Sequence, residues 1–176
     1  RYTVSYHLDA FAQIAERLRG CTEKVVISFV DLYSKTQRNT RGLSITPPQG
    51  KVLLNMVQHL VRIAANNGMV VETCSETIDL QDLGVQHGHC IDARQIERII
   101  GVPLRGKKDR NQRVTCGCME SIDIGAYHTC GNGCKYCYAN KDPHKAVENY
   151  TYHDPASPLL LGHVKPEDTI QQGVQK

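Results

Sequence analysis

Gly50-Lys51-Val52-Leu53-Leu54-Asn55-Met56-Val57-Gln58-His59-Leu60-Val61-Arg62-Ile63-Ala64-Ala65-Asn66-Asn67-Gly68-Met69-Val70-Val71-Glu72-Thr73-Cys74 is the stretch on which the fold turns. Val52, Leu53, Met56, Val57, Leu60, Val61 and Ala64 share one side of a 3.6-residue period, which predicts a helix with an apolar face to bury. Thr46-Pro47-Pro48 supplies an N-cap candidate and prolines suited to a first turn, and Asn67-Gly68 stops the run. Met69 to Thr73 then reads as a short apolar strand.

The same alternation extends in both directions. Leu8, Phe11, Ala12, Ala15 and Leu18 recur at helical spacing before Gly20, and Val25-Val26-Ile27-Ser28-Phe29-Val30 is a β-branched run of strand length. Asp92 with Gln95 resembles a capping box, Ile91 is placed to staple Ile96, and Gly101 ends that helix. Ser121 to Tyr127 reads as a weaker third strand. Apolar strands alternating with amphipathic helices indicate an α/β fold with a parallel sheet. Three strands cannot close a barrel of roughly two hundred residues or more. The expectation is therefore the C-terminal part of a TIM-like barrel, with a small open sheet as the alternative. Residues 1–140 are read as that barrel portion with a cysteine-rich loop at 116–140, and 141–176 as a tail. Prolines 143, 155, 158 and 166 mark the tail, and Leu159-Leu160-Leu161 is read as a strap packed over the core. The abrupt start at Arg1 reads as an excerpt of a longer polypeptide.

A chain of 176 residues holds one domain with a real core, and its net charge of +3 is too small to argue nucleic acid by itself. No run of eighteen apolar residues or signal-peptide pattern is present, so no membrane partner is expected. Eight cysteines are many, and five crowd between Cys116 and Cys137. Secreted disulfide frameworks belong mainly to small loop-rich domains, whereas this chain has long periodic helices. Metal-bound thiolates in a reducing cytoplasm are the better reading.

Functional loops of such folds follow the C-terminal ends of strands, where Asp31, Glu72, Cys74 and the segment Thr129 to Asn140 fall. Cys130, Cys134 and Cys137 stand there in the spacing Cys-x3-Cys-x2-Cys, able to hold three corners of an iron–sulfur cube and leave a fourth open. Gly131, Asn132 and Gly133 enter left-handed conformations easily and can turn successive amides toward an anionic cluster. Lys135 and Lys141 favour thiolate over thiol, and Tyr136 can shield one side from water. The rival is a zinc site with His128 as fourth ligand.

Cys130, Cys134, Tyr136 and Cys137 resemble the cysteine signature of radical S-adenosylmethionine enzymes. That resemblance implies a [4Fe–4S] cluster whose open iron binds S-adenosylmethionine. It also implies reductive cleavage to a 5′-deoxyadenosyl radical, Tyr136 near the adenine, and an electron donor such as flavodoxin or ferredoxin. Lys108-Asp109-Arg110-Asn111-Gln112-Arg113, Cys116-Gly117-Cys118 and Ser121 to Tyr127, with Glu23 to Tyr33 and Cys74 to Asp92, resemble a bacterial domain-of-unknown-function family. Members of that family carry a radical-SAM-like cysteine cluster at the C-terminal end. Gly-Cys-Lys-Tyr-Cys-Tyr-Ala also resembles the cluster loop of spore photoproduct lyase-type enzymes, which implies DNA lesion repair as a further alternative. Two departures stand out: the loop follows the last expected strand rather than the first, and a Gly-Gly-Glu segment is absent.

Cys74, Cys90, Cys116 and Cys118 supply four further thiolates, enough for an auxiliary cluster or a structural zinc, or else Cys74 and Cys90 are small buried hydrophobes. Cys21 is read as structural. His87 and His89 are read as solvated or hydrogen-bonded rather than as ligands. Glu72 shares a strand face with Val70 and Cys74, where it either binds cofactor or forms a salt bridge; Asp31, Lys35 and Asp123 carry the same ambiguity. Arg105, Lys107, Lys108, Arg110 and Arg113 form a basic stretch that is ordinarily a solvated connection, with nucleic-acid phosphate or tuning of the cluster's potential as the alternatives.

Overall fold

The two hydrophobic periods become helices and strands in the computed structural model, which describes residues 2–170. Helix α1 (Val4–Arg17) opens on Thr3, whose hydroxyl accepts the Tyr6 amide and satisfies one of the free N–H groups of the first turn. There follow β1 (Lys24–Ile27), α2 (Ser34–Asn39), α3 (Gly50–Asn66), β2 (Val70–Cys74) and a 3-10 turn (Gln81–Leu83). The remaining elements are β3 (Gln86–Gly88), α4 (Ala93–Ile100) and α5 (Pro143–Thr151). Two compact units result, Arg1–Asp31 with Thr46–Ile122, and Leu32–Ile45 with Asp123–Lys176.

The first unit is built on a parallel sheet in the order β1-β2-β3, with Val26 opposite Glu72 and Cys74 opposite Gly88. Leu53, Val57 and Ala64 of α3 pack with Ala15, Met69, Val71, Leu80 and Val85, and Phe11, Val25 and Ile27 close the margin. Each large side chain buried there contributes about 1.5–3 kcal/mol. Helices α1 and α3 thus cover the sheet face that carries Val25, Ile27 and Val71. The opposite face carries Lys24, Glu72 and Cys74 and leaves Val26 and Val70 exposed.

Three expectations change. The mixed α/β class and parallel strands are present, but the sheet is open and three-stranded, and no barrel is formed among the described residues. The third strand is Gln86–Gly88 and not Ser121 to Tyr127, which has no ladder partner among the described residues and exposes Ile122 and Ile124. A strand is held by pairing with a neighbouring strand, and among the described residues that segment pairs with none. Thr46-Pro47-Pro48 lies ahead of α3, which starts at Gly50 after Gln49; a proline biases the residue before it away from helical geometry.

Asp92 caps α4 through the Arg94 amide, and Gly101, at φ 72°, ends it in the left-handed region. In the second unit Asp142 accepts the amides of His144 and Lys145 and Pro143 opens the first turn, so α5 stands inside the stretch read as a tail. Leu159 and Leu160 are exposed, so that part of the expected strap is not buried. Residues 171–176 of the expected tail lie outside the described residues.

Candidate metal centres

The chain holds two groups of cysteines, one in each unit. In the second unit, Cys130 and Cys134 line a cleft of about 310 Å³ with Asn39, Gly131, Gly133, Lys135, Asn140 and Lys141. Gly133 has φ 63°, a conformation open to glycine, and lets the chain reverse between the first two cysteines. The Cys137 amide donates to the Cys134 carbonyl at 3.1 Å, which closes the next turn. Asn140 clamps the loop: its amide N–H donates to Cys137 Sγ at 3.3 Å and its side chain donates to the Cys130 carbonyl. Asn39 of α2 donates to the Cys137 carbonyl at 3.2 Å. Cys130 and Cys134 are exposed and Cys137 is half-buried. Cys137 and Tyr136 are not part of the cleft's lining.

In the first unit, the sheet gathers cysteines that are far apart in sequence. Cys74 ends β2 beside Gly88 of β3, and two residues beyond Gly88 the chain places Cys90 Sγ at 3.1 Å from Cys74 Sγ. The Ile91 amide donates to Cys118 Sγ at 3.4 Å, and the Met119 amide donates to the Ile91 carbonyl at 3.1 Å. A short antiparallel contact, Lys108 with Met119, folds the basic stretch back so that Cys116 and Cys118 are buried. Asp109 is buried at the bend; its carboxylate accepts the Asn111 amide and its own amide donates to the Cys118 carbonyl. Thr115 hydrogen-bonds Ser75, which ties this loop to the end of β2.

These neighbours set the thiols apart. Burial pushes the Cys74 thiol up to about 11, helped by the Cys90 and Cys118 sulfurs and opposed by Arg113. Burial also raises Cys116, against the Cys118 backbone amide. For Cys118 burial is outweighed by amide donation from Ile91 and by neighbouring thiols, so its thiol is held below the usual range. Among the described residues, no three His, Cys, Asp or Glu side chains converge as they stand on a point where one metal ion would sit.

With both groups placed, residues 1–139 match the profile of a family described as Domain of unknown function (DUF1848). The chain belongs to this family. The DUF1848 match takes in every cysteine, from Cys21 to Cys137. No curated protein matches the chain, and no solved structure does. Among the described residues no helix is long and apolar enough to cross a membrane.

Several of the remaining candidates of this DUF1848 chain have ordinary partners. Glu72 Oε2 lies 3.0 Å from Lys24 Nζ, an ion pair without hydrogen-bond alignment, and Asp92 Oδ2 lies 3.3 Å from the same ammonium. Asp31 pairs with Arg113 at 2.5 Å, and the Lys108 ammonium donates to the Val114 carbonyl, so two cations of the basic stretch serve the fold. Asp123 accepts the Gly125 amide, and His87 approaches the Thr73 hydroxyl at 3.4 Å. Cys21 is exposed rather than packed. Glu76 was not legible as a rim residue: it is buried past β2, where it accepts the Phe29 amide at 2.8 Å. His89 is the other surprise, since its buried Nδ1 has no hydrogen-bond partner among the described residues, and a Cβ on Gly117 would lie 2.0 Å from that atom. The glycine between two cysteines was the available signal.

Proposed function

We propose that this chain is the cluster-binding part of a radical S-adenosylmethionine-like iron–sulfur protein, with Cys130, Cys134 and Cys137 as ligands of a [4Fe–4S] cluster. The observation that supports it is the cleft onto which Cys130 and Cys134 open, lined by two lysines and two glycines. Its volume of about 310 Å³ lies at the small end of ligand-pocket sizes. Lys135 and Lys141 bring positive charge to a site that must hold several thiolates. Gly131 and Gly133 keep side chains off the approach, and Asn140 presents an N–H to the Cys137 sulfur, which stabilises its thiolate. Binding requires the three thiols to be drawn together from where they stand. When bound, the cluster supplies one-electron chemistry, with S-adenosylmethionine on its open iron and a small donor such as flavodoxin or ferredoxin supplying the electron. The zinc reading has less support because His128 Nδ1 faces the Asp142 amide, at 3.5 Å, which leaves only Nε2 to bind an ion. A sheet covered by helices on one face, with Lys24, Glu72 and Cys74 on the other, is consistent with a segment of a larger barrel.

Anaerobic reconstitution with ferrous iron and sulfide tests the ligands. About four iron atoms per chain are expected in this loop, lost on Cys130→Ala, Cys134→Ala or Cys137→Ala with the far-ultraviolet dichroism unchanged. Electron paramagnetic resonance of the reduced protein is expected to shift on addition of S-adenosylmethionine. Iron retained through all three substitutions would remove the ligand assignment; an unresponsive cluster would remove the cofactor alone.

A further inference from the structure

We propose that Cys74, Cys90, Cys116 and Cys118 form a separate mononuclear site for one thiophilic divalent ion, zinc, at the C-terminal edge of the sheet. Three independent features of the first unit lead there. The sheet register sets Cys74 beside β3 and hence beside Cys90, while the Met119–Ile91 and Ile91–Cys118 hydrogen bonds hold the Cys116-Gly117-Cys118 turn against the same strand end. The backbone positions are therefore fixed by structure that needs no metal, and what remains is rotation of four side chains among their staggered wells.

The spacing of the sulfurs selects the kind of metal centre. Four thiolates on one tetrahedral ion, each at about 2.3 Å, stand about 3.8 Å from one another. A cube places each thiolate on a different iron and keeps them farther apart. Cys74 and Cys90, at 3.1 Å, need part by only about 0.7 Å to reach that separation, far less than a cube would ask, and Cys116 and Cys118 are only two residues apart.

His89 supplies the third feature. Its ring packs against Gly117, the residue between Cys116 and Cys118, with Nδ1 buried and without a hydrogen-bond partner among the described residues, which is costly. A bound ion displaces the thiol protons, and the resulting thiolates would accept from Nδ1 in the tautomer that carries its proton there, the outer hydrogen bond that metal–thiolate sites use. With two thiols buried and all four corners filled by protein, the ion serves as a staple between β2, β3 and the 116–118 turn.

The test is made in the Cys130→Ala/Cys134→Ala/Cys137→Ala background, so that failure of the iron–sulfur reading leaves it intact. Titration with Co²⁺ alone is expected to give one equivalent of thiolate-to-cobalt charge-transfer absorption, displaced by one equivalent of Zn²⁺. Adding Cys90→Ser, an exposed position, is expected to weaken that binding at least tenfold, and Cys118→Ser to abolish it. Should the triple variant fail to fold, the unsubstituted chain and its Cys90→Ser variant are titrated instead, and the loss of one equivalent is read. Absence of a cobalt band in folded protein, indifference to Cys90→Ser, uptake of iron and sulfide in place of zinc, or a Cys74–Cys90 disulfide in metal-replete protein would each overturn the assignment.

Discussion

The two cysteine groups differ in how they are made. The trio of Cys130, Cys134 and Cys137 lies within eight residues of sequence, yet its thiols are exposed or half-buried on a loop held by turns and by Asn140. The quartet of Cys74, Cys90, Cys116 and Cys118 spans 45 residues, from 74 to 118, yet sheet register and backbone hydrogen bonds bring it to one corner with two members buried. Proximity in sequence supplies spacing; proximity through a sheet supplies burial and coupling. A group of the first kind leaves room for a ligand, and one of the second kind is suited to holding structure.

The widest gap between the two should appear in alkylation of metal-free protein. At pH 8 a thiol with a pKa of about 11 is ionised to about one part in a thousand, and its more nucleophilic thiolate offsets part of that loss, so half-buried Cys74 is expected to react about tenfold or more slower than exposed Cys130. Its rate should rise about tenfold per pH unit until pH 11, because only the thiolate attacks. Cys116 and Cys118 are expected to be protected by burial instead. Mass-spectrometric labelling kinetics would show equal rates for Cys74 and Cys130 if the contrast is unreal.

Gly117→Ala attacks the quartet alone. The new methyl carbon would meet His89 Cε1 and Nδ1 at 2.0 Å, so the ring or the turn must shift. Overpacking of this kind costs about 1–3 kcal/mol. A lower melting temperature and faster labelling of Cys116 and Cys118, with the trio's labelling unchanged, are the expected outcome. An unaltered melt would mean that the turn is not seated on the ring as described.

Much of the platform beneath the quartet is legible in sequence, because it obeys a hydrophobic period. The α3 face, the β1 and β2 runs, the Asp92 cap and Gly101 all follow from residue type. Strand β3 does not, since Gln86-His87-Gly88 has no apolar side chain and becomes a strand only because β2 offers it a ladder. Gly88 is small there for a reason invisible in one dimension: a Cβ would fall 2.2 Å from Glu72 Oε2. Ser121 to Tyr127 fails in the opposite way, having apolar residues but no neighbour to pair with. Asp142-Pro143 carries the signature of a helix start, a cap followed by a first-turn proline, yet the prolines farther on give the same stretch the texture of a tail. The trio's spacing needs no fold to be seen, whereas the quartet's convergence depends on register, which a sequence does not display.

Lys24→Met would probe how firmly that platform is held. Burial lowers the Lys24 pKa, but Glu72 and Asp92 outweigh it and raise it above 10.5. Burial raises the Asp92 carboxyl, but Lys24 and the Arg94 and Gln95 amides outweigh that and hold it below 3.8. The ammonium's contribution is therefore present below pH 10.5 and lost as pH rises further; the carboxylate's is present above pH 3.8 and lost as pH falls. All three groups retain some solvent contact, so breaking the cluster is expected to cost about 1–2 kcal/mol, less than a fully buried pair. The difference between wild type and variant should be greatest between those limits and shrink outside them. A pH-independent difference in denaturant midpoint would assign the effect to packing.

Asn140→Ala addresses the trio with the smallest change. Its side chain donates to the Cys130 carbonyl and so joins the first and third cysteine turns, while its backbone N–H to Cys137 Sγ survives the substitution. Losing one exposed hydrogen bond costs about 0.5–1.5 kcal/mol, and it is local. Amide exchange around Cys130 and Cys134 is therefore expected to quicken severalfold, while the quartet's labelling and cobalt binding stay as they were. If the loop's role is to collect thiols around an incoming cluster, the same variant should also take up iron more slowly but to the same final content, because the ligands themselves are untouched. A lower final content would mean that the Asn140 side chain sets ligand positions rather than merely reducing the loop's freedom.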